Sequence, residues 1–141
     1  MGEAHHLSHS ERVTLIKAAR QALDEAGLVS VPIVAGTGAG STRETVELCK
    51  EASEAGADYA IVIVSGYFVG VLANDRKALK AFWTEVAEKS PIPVIIYNCA
   101  LSFPPLQFRR AVGLFMRRHP CVLVAFYFHC LRSEAFCLPL Q

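Results

Sequence analysis

Three apolar runs, beginning at Val31, Tyr59 and Val94, recur at the ~30-residue spacing of one strand–helix–strand unit. None of them alternates polar with apolar residues, which marks strands buried on both faces of a parallel sheet rather than half-wetted antiparallel ones. Helical periodicity fills the intervals between them. The pattern predicts an α/β chain, a parallel sheet with flanking helices.

Ser8-His9-Ser10-Glu11 is a capping box, and Val13, Ile16, Ala19, Ala22 and Leu23 then line one face of a helix that Gly27 stops. Val31–Ala35 reads as a buried strand running into the tight loop Gly36-Thr37-Gly38-Ala39-Gly40. Ser41-Thr42-Arg43-Glu44 is a second capping box, with Val46, Leu48, Cys49 and Ala52 on the inner face and Gly56 at the end. Tyr59–Val64 is the second strand, and Ser65-Gly66-Tyr67-Phe68 the loop leaving it. Asn74 is the expected cap of a third helix reaching Ser90, with Leu79, Phe82, Trp83 and Val86 inward. Pro91-Ile92-Pro93 separates that helix from the third strand, Val94–Tyr97.

Beyond Asn98 the composition changes. Four of the five cysteines (Cys99, Cys121, Cys130 and Cys137) lie there, and no lysine follows Lys89. Pro104-Pro105 delays any helix, Phe108–Arg118 is a possible helix carrying four arginines, and Cys121–Phe128 a possible further strand. The expected division is therefore 1–98 and 99–141.

With 141 residues the chain is one domain, shorter than the ~200 residues at which closed eight-stranded α/β barrels begin. Lys and Arg number 14 against 13 Asp and Glu, so the net charge of +1 makes no case for nucleic acid or an anionic membrane as partner. Met1–His6 lacks the basic and apolar regions of a secretory signal, and no stretch has the ~18 apolar residues of a membrane span. An odd cysteine count without C-x-x-C spacing suggests reduced thiols and a cytoplasmic location. A mitochondrial presequence ahead of Met1 stays open.

Gly36–Thr42 invites a phosphate-loop reading, because backbone N–H groups ahead of a helix hold anions. It lacks the lysine of G-x-x-x-x-G-K-[ST], and Ser41 stands where G-x-G-x-x-G needs its last glycine, so a glycine-rich turn into a capped helix is the simpler reading. His5, His6 and His9 include an i, i+4 pair but no H-E-x-x-H arrangement, and read as solvated histidines with no metal site. Arg109, Arg110, Arg117, Arg118 and His119 read as a solvated helix face, with a docking surface for an acidic partner as the alternative. Tyr67 and Tyr97 sit at strand C-terminal ends, where parallel α/β folds gather their chemistry, and a phenol there can relay protons. Asn98 is placed to orient a substrate or to bond its own loop.

Taken in order, Val31-Pro32-Ile33-Val34-Ala35-Gly36-Thr37-Gly38, Ser41-Thr42-Arg43-Glu44-Thr45, Ala55-Gly56-Ala57-Asp58, Gly66-Tyr67-Phe68 and Ile95-Ile96-Tyr97-Asn98 resemble the dihydrodipicolinate synthase / N-acetylneuraminate lyase family. The 4-hydroxy-2-oxoglutarate aldolase-like branch is the nearest in character, and the resemblance runs from Gly2 to Asn98. It implies part of a (β/α)8 barrel, about three to four βα units. It also implies lyase chemistry on a 2-oxo acid such as pyruvate through a lysine Schiff base, with no cofactor and no metal. By this resemblance Tyr97 matches the proton-relay tyrosine of a Y-N-x-P phrase. Thr37, Tyr67, Phe68 and Asn98 fall at substrate-binding positions, and Gly2-Glu3 at the end of a carboxylate-binding loop.

The sequence departs from the family at telling places. Ala100 replaces the proline of Y-N-x-P, and Phe68 stands where many members have a catalytic tyrosine. The Schiff-base lysine expected near Val124–Phe128 is absent; Lys17, Lys50, Lys77, Lys80 and Lys89 all precede Tyr97 on predicted helices. The expectation is a truncated, inactive member that associates with itself or with a full-length relative. The alternatives are a non-catalytic interaction partner of complete subunits and a small phosphate-binding α/β module. A read-through or shifted frame after Asn98 would account for the tail equally well.

Overall fold

The computed structural model describes residues 6–63, 75–99 and 122–127. Each helix begins at a side chain that satisfies backbone donors the helix cannot satisfy itself. Ser8 and Glu11 form the reciprocal capping box that starts α1 (His9–Glu25). Ser41 accepts from the Glu44 N–H at 3.2 Å and starts α2 (Thr42–Glu54). The third cap is Asp75 rather than Asn74: its carboxylate accepts from the Lys77 and Ala78 N–H groups at 2.9 and 3.0 Å, opening α3 (Arg76–Lys89). An anionic cap is the better match for the positive end of a helix. Gly27 and Gly56 carry positive φ, +72° and +99°, where the chain leaves α1 and α2.

The strands are β1 (Val34–Gly36), β2 (Tyr59–Ile63), β3 (Val94–Cys99) and β4 (Val122–Tyr127). The first starts three residues later than the sequence suggests. Val31 is held in a turn by its N–H to the Leu28 carbonyl, and Pro32 has no N–H to give a ladder. All pairs are parallel, and the sheet order is β1-β2-β3-β4 with no reversal. Right-handed crossovers in an unreversed sheet keep every connecting helix on one side. That is the wall of a barrel rather than a doubly wound sheet.

One face of this wall packs on the helices. Ala60, Val62, Val94 and Ile96 are buried against Val46 and Cys49 of α2 and Leu79, Trp83 and Val86 of α3. A smaller cluster of Ala35, Ala52 and Ala57 takes in Ile16 and Ile33. Each Val, Leu or Ile side chain so buried contributes about 1.5–3 kcal/mol, and each alanine methyl less. The alternate residues Tyr59, Ile61, Ile63, Ile95 and Tyr97 are only half-buried, and Val34 is exposed. β2 is thus not covered on both faces among the described residues. An apolar run without alternation marks two apolar faces, and one of these is the inner face of the wall.

The face expected of α1 is only partly covered among the described residues. Val13, Ile16 and Leu23 are half-buried, Ala19 and Ala22 are exposed, and no residue of α1 is fully buried. Polar clamps hold this helix instead. The Arg20 guanidinium donates to the Val31 carbonyl at 3.0 Å and approaches Asp58 at 3.5 Å. His9 is the first residue of α1, not a solvated histidine ahead of it: Nε2 lies 2.7 Å from Glu44 and Nδ1 2.8 Å from Glu51, both on α2. Both ring nitrogens face carboxylates, so the doubly protonated imidazolium is the matching form. These two hydrogen bonds raise the His9 pKa above its ordinary 6.5.

A raised folded-state pKa stabilises the docked helix in full below pH 6.5, and this contribution disappears as pH rises through the folded-state value. The pair is exposed, so salt weakens it. Titration of the His9 ring by NMR should give a midpoint above 6.5, and Glu44→Gln with Glu51→Gln should lower it toward that value.

Candidate functional site

Because all strands run the same way, their C-terminal ends share one rim. Tyr97 lies toward that rim in β3, half-buried on the inner face, with Ile63 of β2 as its register partner on one side and Ala125 of β4 on the other. Ile61 pairs with Ile95 one step earlier, so the phenol stands above an isoleucine row. Sequence reading singled out the tyrosine but missed that row. Its signal was the register between two apolar runs, which no local pattern displays.

Thr37 follows β1 on the opposite face. Its side chain is 1 % exposed, and its hydroxyl accepts the Cys49 thiol hydrogen at 3.3 Å. The structure therefore separates Thr37 from Tyr97. Asn98 follows Tyr97 in β3, its backbone paired with Phe126 of β4. Tyr67 and Phe68 lie outside the described residues, as do Gly2-Glu3, His5, Ala100 and the arginine cluster 109–118 with His119.

The glycine loop is closed by its own bonds. The Thr37 N–H donates to the Ile61 carbonyl at 3.0 Å, and the Ala39 N–H to the Thr45 hydroxyl at 3.3 Å. The Thr45 hydroxyl in turn donates to the Ser41 carbonyl at 2.9 Å. The Thr37 and Ala39 N–H groups thus already have partners within the protein. Gly38 is needed for another reason: a Cβ there would lie 2.8 Å from the Ile63 nitrogen and 2.9 Å from its Cγ2. The loop rests directly on the strand that flanks Tyr97.

All five lysines are exposed and lie on α1, α2 and α3. No group of three or more His, Cys, Asp or Glu side chains among the described residues could hold a metal. No helix among them is long and apolar enough to cross a membrane.

The sequence profile of the dihydrodipicolinate synthetase family matches residues 1–109. The chain belongs to this family. It is 50% identical over 97 residues to the L-threo-3-deoxy-hexylosonate aldolase of Aspergillus niger, a match covering 69% of this chain and 29% of that protein. To an Emericella nidulans protein named as a mitochondrial 4-hydroxy-2-oxoglutarate aldolase it is 41% identical over 122 residues, 86% of this chain and 39% of the relative. Among solved structures, the Acinetobacter baumannii dihydrodipicolinate synthase complexed with pyruvate superposes with a TM-score of 0.61 at 35% identity, over 72% of this chain and 32% of that one. The structural neighbours are TIM-barrel proteins, and the chain spans well under half the length of these relatives. Lyase-family membership, an α/β fold and a partial barrel wall are all secured.

Two measurements check this geometry. Gly38→Ala should cost about 1–3 kcal/mol by overpacking against β2, read as a lower urea midpoint with an unchanged slope. Burial pushes the Cys49 thiol above its ordinary 9.0, against smaller opposing effects of Thr37 and Ser90. Alkylation at neutral pH followed by peptide mapping should therefore leave Cys49 unmodified until denaturant is added.

Proposed function

We propose that this wall carries the proton-handling side of a carbon–carbon lyase acting on a 2-oxo acid such as pyruvate, with Tyr97 as its relay, and that these 141 residues do not themselves form the Schiff base. Family membership supports the reaction class, and the pyruvate complex of the Acinetobacter enzyme supports the substrate class. The observation that carries the reading is the place of Tyr97: inner face, rim end, flanked in register by Ile63 and Ala125.

In this chemistry a lysine amine condenses with the keto carbon and releases water, and the protonated imine draws electrons from the adjacent carbon–carbon bond. A phenol beside the reacting atoms passes the proton that cleavage or condensation requires, a contribution of about 10²–10⁴-fold. The half-buried isoleucine row beneath Tyr97 supplies an apolar floor that limits water there. Asn98 and the aromatic pair Tyr67 and Phe68 complete the proposed substrate-binding set. Thr37 enters it as a residue that fixes the loop through Cys49. None of the described strands carries a lysine. A cytoplasmic location is part of the same proposal.

Borohydride reduction in the presence of pyruvate, read by intact mass, tests the proposal. The wild-type chain should gain no adduct. Ala125→Lys, which sets an amine at the register position beside Tyr97, should gain one, and adding Tyr97→Phe should slow its formation by about 10²-fold. An adduct on the wild-type chain overturns the assignment of the missing amine. No adduct on Ala125→Lys overturns the placement of a 2-oxo-acid site at Tyr97.

A further inference from the structure

We draw no further inference here: the strongest candidate, the side-chain cluster in which His9 of α1 meets Glu44 and Glu51 of α2, belongs to the pH-dependent docking of α1 already described, and no observation among the described residues points to a ligand for it.

Discussion

The register of β2 against β3 governs the rest of this molecule. Ala60 opposite Val94 and Val62 opposite Ile96 turn one set of side chains into the helix layer, and the intervening residues must face the other way. Helix packing, core composition and the stance of Tyr97 all follow from that parity, since a slip of one residue would exchange the two faces. Trp83, packed edge-on against Phe82 with centroids 4.9 Å apart, helps hold the register by filling the space behind β2 and β3.

Helix positions were readable in the sequence because their causes are local. Ser8 with Glu11, and Ser41 with Glu44, signal their helices within one turn. The inner faces of α2 and α3 were equally legible, since periodicity states which side is apolar, and Val46, Cys49, Leu79, Trp83 and Val86 are buried as expected. The cap of α3 moved by a single residue because Asn74 and Asp75 are both good caps and only geometry chooses between them.

What local pattern cannot convey is partnership across the chain. The carboxylates that meet His9 are 35 and 42 residues away, so nothing near His9 announces them. The same holds for the row beneath Tyr97, which exists only once β2 and β3 pair. The place of Tyr97 near the end of β3 was legible because the third apolar run ends there. Thr37 was read from a loop whose shape the sequence implied but whose side-chain directions it did not. The periodicity of α1 gave a real apolar face, while the question of what covers it lies beyond any single helix.

Gly38 gives the wall a mechanical property of its own. With no side chain, the loop after β1 lies flush on the backbone of Ile63, and Ile63 is hydrogen-bonded through the ladder to the strand of Tyr97. The contact works as a spacer of minimum thickness. Anything thicker would press on Ile63, so position 38 limits how closely this loop can seat on the strand that flanks Tyr97.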